Sequence, residues 1–530
     1  MRFQTALSLV AALAPAVFGQ LLEGTAVGPT TALSAKSTIC NVLDYGGVAD
    51  GATDIGPAIT KAFACVTAAK NGATLYVPEG NYLISTGVVL NAGSNWAFQL
   101  DGLITLDVAG SFSGNAIVIK RATNLEMYSS NGKGAIQGNG YQVRISGSSQ
   151  NARLLRFMNC TNYSVHDLFL IDSPTFHLIH NNAVNMETYH ITIRGGNKGG
   201  LDGLDLICDS NCYLHHIEVT NRDECISVKT PSKNVLIEDI YCNQSGGMSI
   251  GSLDAGNGGS EIEYIHMRRI HVYQCTQMLM IKTWPGGTGA VGYVRNSIFE
   301  DFWAYDTTYA LDIDQYWYSH TTPNTGAIAL SNLVFSNWTG TVDNGISRGP
   351  IVIRGSDVVP LTNITLEDFS MWTVNKDRVV LQCNNVYGTG YCARELASGA
   401  TPTAFSSTVT ITTTMSGFTS PTSPAWGVAG YGTTQSIPVY TPAALWGSVA
   451  AAEVTAKAVT STAAAAAASA TSTKAATSIK TSTSTKATST ATTLATKKTS
   501  TTASSASATI TATTIRTRGG PGGRGGPWRA

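Results

Sequence analysis

Charge, helical periodicity and long apolar runs are all scarce in this chain. Charged residues fill only 13% of the 530 positions while glycine takes 53, a balance that disfavours helical bundles with their charged outer faces. No apolar stretch after the first twenty residues is long enough to span a bilayer, and the C-terminus lacks the hydrophobic tail of a lipid-anchor signal. No membrane partner is expected. Acidic residues are missing before Gln20 and after Glu453, and aromatics are missing from Glu453 to Trp528. The formal net charge of zero therefore hides a division, because the body from Gln20 to Glu453 holds 34 acids against 23 bases, a net of −11. A body of that sign does not suit nucleic acid as a partner.

The two ends read as processing and linker segments. Residues 1–19 begin with Arg2, continue through an apolar run from Ala6 to Ala16 and end in Val17-Phe18-Gly19, as a cleaved secretory signal does. In an exported chain the ten cysteines read as disulfides before metal ligands, so neither a metal nor a cofactor is expected. Five sequons, at Asn159, Asn162, Asn243, Asn337 and Asn363, permit N-glycosylation. The mature protein is expected to be secreted, extracellular and monomeric. From 451 to 530 the composition turns to Ala, Ser, Thr and scattered Lys, closing on a Gly/Pro/Arg segment. Too little apolar surface is present there to offset the entropy of ordering, so a disordered tail is expected, with a Ser/Thr density that fits an O-glycosylated stalk.

The body, 20–450, is mostly strand pattern. Val42 to Gly46 reads as a short strand, and Asp54 with Pro57 opens a helix through Ile59, Phe63 and Val66. Thr74 to Ile84 reads as two strands broken at Pro78-Glu79-Gly80. One helix ahead of many strands suggests a cap over an open sheet end. From Asn162 onward the pattern apolar-x-apolar-x-x-apolar-x-apolar recurs, with its third apolar position at Leu168, Ile191, Ile217, Ile240 and Ile270. Repetition at this near-constant length favours an all-β parallel β-helix over a βαβ sheet. An antiparallel sandwich is the alternative.

Four motifs share one column of such a solenoid: Asp202-Gly203, Asp223-Glu224-Cys225, Gly246-Gly247 and Met280-Ile281-Lys282. Asp202 and Asp223 are 21 residues apart, Glu224 and Gly246 are 22. Equivalent positions on adjacent coils lie about 4.7–4.9 Å apart, so Asp202, Asp223 and Glu224 cluster and at least one of their pKa values should rise. A protonated acid beside an ionised base is what glycosidic cleavage needs. A solvated acidic turn or a calcium site would carry the same residues. Strict alternation would also send Asp223 and Glu224 to opposite faces, so a bend before the strand from Cys225 is required. Cys242 falls one coil after Cys225, and a bridge between them would pin that bend. Arg222 and Lys229 are basic residues in an otherwise acidic body and could bind carboxylates, while Trp284, Tyr316 and Trp317 suit either ring stacking or ordinary packing. No metal-ligand arrangement unites His177, His180, His215 and His216.

These motifs, in this order from about Asn41 to Leu381, resemble the pectin-degrading hydrolase family of polygalacturonases. Where that family carries Asn-Thr-Asp-Gly, Asp-Asp-Cys, Gly-His-Gly and Arg-Ile-Lys, this chain has Gly200-Leu201-Asp202-Gly203, Asp223-Glu224-Cys225, Gly246-Gly247 and Met280-Ile281-Lys282. Glu224, Gly246 and Met280 together resemble the rhamnogalacturonase branch. The resemblance implies a right-handed parallel β-helix, a pectic polysaccharide as substrate and disulfides Cys40–Cys65 and Cys383–Cys392. It also implies inverting hydrolysis with Asp223 as general acid and Asp202 and Glu224 holding the water, with carboxyl groups about 6.5–9.5 Å apart across the bond. Loss of a His and an Arg removes cationic contacts at one subsite, which suits rhamnose near Met280, Gly246 and Gly247, with galacturonate near Lys282. Polygalacturonan or xylogalacturonan hydrolysis on the same fold, a β-helical lyase and a non-catalytic wall-binding solenoid are the competing readings.

Overall fold

The recurring apolar pattern becomes a stack of parallel strands. Leu168, Ile191, Ile217, Ile240 and Ile270 are direct neighbours on successive coils, and the column continues through Phe302, Trp338 and Phe369. The coil at Phe302 does not stand out in the sequence, because the steps on either side of it are longer. The computed structural model describes residue 21 and residues 26–440, except 70, 254–258, 286–290, 318–326, 343–347, 375–377, 425 and 428. The expected leader and the tail from 451 lie outside the described residues. Every strand pairing described is parallel except the last, Val379–Asn384 with Ser406–Ile411. The architecture is a right-handed parallel β-helix, the hand that parallel crossovers adopt.

The two x positions in mid-pattern explain how one coil turns without losing its inward face. The second x holds left-handed backbone at Asp167, His190, His216, Asp239, Arg269, Asp301, Asn337 and Asp368. A single such residue shifts the alternation phase and lets apolar residues on both sides point inward. A second corner uses Asn162, Asn185 and Asn211, all left-handed, whose side chains bond in series at 2.8 and 3.0 Å. Sequon residues Asn162, Asn337 and Asn363 are therefore also turn residues. Asn159 is exposed, whereas Asn243 is buried and its amide donates to the Thr220 hydroxyl at 3.1 Å.

The helix Gly56–Ala68 carries Pro57 in its first turn and buries Ile59, Phe63 and Val66, as the spacing predicts. Phe63 meets the edge of Trp96 at 5.0 Å, and the Cys40–Cys65 disulfide ties the helix to the first strand. Val42–Tyr45 is a 3-10 turn rather than the expected strand. The Asn41 side chain accepts the Leu43 N–H at 3.0 Å, a local bond that competes with pairing, and Gly46 closes the turn at φ 90°. Cys225–Cys242 and Cys383–Cys392 are bridged as expected, Cys208–Cys212 forms a further bridge, and Cys160 and Cys275 are buried thiols.

Beyond the last strand the chain turns back along the solenoid. The Ser370 hydroxyl donates to the Ser416 carbonyl, and Trp426 stands edge-on to Tyr241 and Tyr273. Farther on, the Thr433 carbonyl accepts from Arg144, Ile437 is buried with Ala135, Phe169 and Ile171, and the Tyr440 hydroxyl reaches the Lys133 carbonyl. This return segment spans most of the coils.

Candidate active site

The required bend exists. Residues 221–223 form it, and Glu224 opens the strand Glu224–Val228, in which Cys225, Ile226 and Val228 are fully buried. Asp202 lies in the loop ahead of the strand Leu204–Thr220. Bonds to the backbone of both segments fix their positions. Asn221 donates to the Leu201 and Glu224 carbonyls at 2.8 and 3.0 Å, and Gly203 N–H donates to the Glu224 carbonyl at 2.9 Å. His177 is fully buried, and its Nδ1–H donates to the Asp202 carbonyl at 2.9 Å while Nε2 accepts from Ser173 N–H. Burial pushes its pKa down to about 4, so it stays neutral. Neither the Asn221–Leu201 nor the His177–Asp202 contact could be read from the sequence, because each joins segments about one coil apart.

One oxygen from each of Asp202, Asp223 and Glu224 lies within 4.8 Å of the others. This is closer than the 6.5–9.5 Å expected for an inverting pair. The cause is the register, since the two segments enter adjacent coils, whose spacing is about 4.8 Å. Carboxyl separation therefore does not by itself argue for inversion in this chain. Asp205 adds a fourth acid, outward-facing and 7% exposed, with its Oδ1 3.5 Å from Lys229 Nζ.

Four acids so close cannot all be ionised. Burial, then the charges of Asp205 and Glu224, push Asp202 up to about 9. Burial and the neighbouring Glu224 raise Asp223 to about 7, against the pull of N–H bonds from Gly200 and Glu224. Glu224 moves the other way. Its burial opposes ionisation, but the hydrogen bond with Asp223 and the charges of Lys282 and Lys229 outweigh it and hold the carboxyl well below the usual range. Lys282 Nζ bonds directly to Glu224 Oε1 and sits 5.0 Å from the centre of the Trp317 ring. The same three oxygens could converge on a hard cation, but the two lysines already supply positive charge to the cluster.

The remaining expected residues fall along the column. Ser227, Ser249, Met280 and Asp312 are consecutive neighbours, as are Gly251, Lys282, Asp314 and Arg354. Met280 is 6% exposed beside Asp312, which burial and Asp314 raise to about 7. Arg222 is exposed on the bend, whereas Lys229 turns into the cluster, bonding the Gly251 carbonyl at 2.8 Å. Trp284 packs against the core, and Tyr316 donates to Asp357 at 2.8 Å. Gly246 and Gly247 are buried. Gly246 N–H bonds the Asp223 carbonyl at 2.7 Å, and Gly247 has φ +85°, with an added Cβ only 1.8 Å from the Gln277 carbonyl. Asp312 is not among the residues expected from the sequence, although the alternation Leu311-Asp312-Ile313-Asp314 one coil after Met280-Ile281-Lys282 marks it.

Comparison with known proteins bears on this site. Over 456 residues the chain is 40% identical to a probable rhamnogalacturonase A of Aspergillus niger, covering 86% of this chain and 98% of that protein. It is 42% identical over 429 residues to rhamnogalacturonase A of Aspergillus aculeatus, covering 81% and 93%. Among solved structures, an endo-xylogalacturonan hydrolase from Aspergillus tubingensis superposes with a TM-score of 0.56 at 23% identity, over 64% of this chain and 93% of that one, a likeness of fold. Residues 65–393, which hold the whole carboxylate cluster, match the glycosyl hydrolases family 28, and the chain belongs to that family.

Proposed function

We propose that the chain hydrolyses the galacturonate–rhamnose backbone of rhamnogalacturonan, with Asp223 as general acid, Glu224 as the ionised base and Asp202 positioning the attacking water. The observation that carries this is three carboxyls with oxygens within 4.8 Å of one another, of which Glu224 alone bonds Lys282, an asymmetry that divides protonation. With Asp223 raised to about 7 and Glu224 depressed, one carboxyl keeps a proton for the leaving oxygen while its neighbour remains charged across the acidic range. Asp202, raised to about 9, is protonated there and orients water rather than deprotonating it. Inversion is supported by the same assignment. A retaining mechanism needs a free carboxylate nucleophile, yet Glu224 is clamped by Lys282 and Asp202 is protonated.

The substrate reading draws support from the relatives named above and from the column. A uronate at the Met280 position would face Asp312 rather than a cation, which penalises it against a neutral 6-deoxy sugar. Lys282 and the face of Trp317 suit an acidic sugar, although Lys282 must then be shared with Glu224. The leader composition supports secretion, and no helix among the described residues is long and apolar enough to cross a membrane.

The test is digestion of purified rhamnogalacturonan and polygalacturonate side by side, following products by size and by proton NMR of the new anomeric centre. Rhamnogalacturonan should be cut preferentially, with the new reducing end released in inverted configuration. Preference for polygalacturonate would overturn the substrate, retention would overturn the mechanism, and an unsaturated uronate in the products would indicate a lyase.

A further inference from the structure

We propose that the concavity walled by Arg153, Arg156, Phe176 and Ile179 is a second uronate subsite, which grips the bound polysaccharide on the N-terminal side of the cleaved bond and sets its register. The identity of the sugar rests on the function proposed above; the acidic, polymeric character of the ligand rests on the site itself.

The first observation is an unneutralised pair of charges. Arg144, Arg194, Arg268, Arg269, Arg295 and Arg354 each meet a carboxylate within 4 Å. Arg153 and Arg156 have no carboxylate partner among the described residues, although the body carries 11 more acids than bases. They lie close enough for Arg153 to depress Arg156 further, after burial, while Asp205 attracts Arg156 from beyond ion-pair distance. Two half-buried like charges placed together, with the nearby Asp205 already paired to Lys229, favour an external anion.

The second observation is geometry. The two guanidiniums open on a concavity of about 150 Å³ that also includes Phe176, Ile179, Asn181, Ile207 and the paired Asp205 and Lys229. Lys229 is already engaged with Asp205 at 3.5 Å, so the arginines are the donors in reserve. Arg156 Nε is fixed by the Asn181 side-chain oxygen at 2.7 Å, leaving its two terminal nitrogens as a fork for a carboxylate. Arg153 is steadied by the Gly114 carbonyl at 3.3 Å and lies 5.3 Å from the centre of the Phe176 ring. Phe176 and Ile179 supply an apolar floor for the C–H face of a sugar.

The third observation is position. Arg156, Ile179, Asp205 and Ser227 are consecutive neighbours down one outward column. Arg156 therefore stands two strands, or about 10 Å, from the acid that packs beside Asp202. Lys282 lies on the other side of the cluster, so basic groups flank the acids at both ends.

The experiment compares the wild type with the Arg153→Gln/Arg156→Gln double variant and with Arg156→Lys, on long rhamnogalacturonan and on the shortest oligosaccharide the wild type still cleaves. The double variant is expected to lose roughly ten- to hundredfold in kcat/KM on the long substrate, mostly through KM, with little change on the short one. Arg156→Lys, which keeps the charge and loses the fork, should fall between. Equal losses on both substrates, with an unaltered melting temperature, would overturn the subsite, as would an unchanged long-chain KM. If the wild type prefers polygalacturonate, the functional proposal fails, yet the long-against-short contrast on that polymer still decides the subsite.

Discussion

Asp223 and Glu224 are adjacent in sequence and nearly opposite in chemistry, because one faces acids and N–H donors while the other receives Lys282. The consequence for pH is direct. The acid must be protonated, so kcat/KM should fall as pH rises through about 7, the value for Asp223; the base must be ionised, so activity should persist far into the acidic range before Glu224 protonates. Lys282→Gln removes a cause of the Glu224 depression. The low-pH limb should then move to higher pH and kcat should drop by roughly a hundredfold. A pH–rate profile of both proteins checks this, and an unmoved acidic limb would show that another group is the base. Met280 offers a specificity test at the same scale. An arginine introduced there would be claimed by Asp312, its direct neighbour, so Met280→Arg alone should do little. Met280→Arg/Asp312→Asn frees the guanidinium, and the ratio of polygalacturonate to rhamnogalacturonan cleavage should rise about tenfold or more.

At the scale of the element, the two adjacent glycines separate a structural demand from a functional one. Gly247→Ala puts a Cβ into the Gln277 carbonyl at positive φ and should cost about 1–3 kcal/mol or more, visible in denaturant unfolding. Gly246→Ala meets the Asp223 carbon and carbonyl oxygen at 3.0 and 3.1 Å, a contact that presses on the catalytic bend. It should lower kcat while leaving stability nearly unchanged, and the two variants together show which glycine serves the site. Sequence did not distinguish them, because the demand on Gly247 comes from Gln277, a coil away. The strand column was legible for a physical reason: each coil repeats the same inward positions, so period and register follow from spacing alone. The Val42–Tyr45 turn was not, since one Asn41 side-chain bond decided it against an apolar strand-like string.

Across the whole molecule, Asp202, Asp223, Glu224, Lys229, Lys282 and the capping helix could be read because each rests on a local motif or a repeat. The return segment from Met415 to Tyr440 could not. It is rich in Gly, Pro, Ser and Thr, it has no period, and its bonds reach residues up to 307 positions away. Its contribution comes from what it covers. Ile437 closes over Ala135, Phe169 and Ile171, Trp426 covers Tyr241 and Tyr273, and the Val439 carbonyl accepts from Arg194. A chain ending at Tyr440 should therefore keep both activity and melting temperature. A chain ending at Thr414 should lose about 2 kcal/mol from Ile437 alone, together with the bonds from Arg144 and Arg194, and melt at lower temperature. Calorimetry of the two truncations decides the point. Equal stability would mean that the segment lies on the solenoid without holding it, and a loss confined to the shorter chain would place the end of the folded unit at the return segment rather than at the last strand.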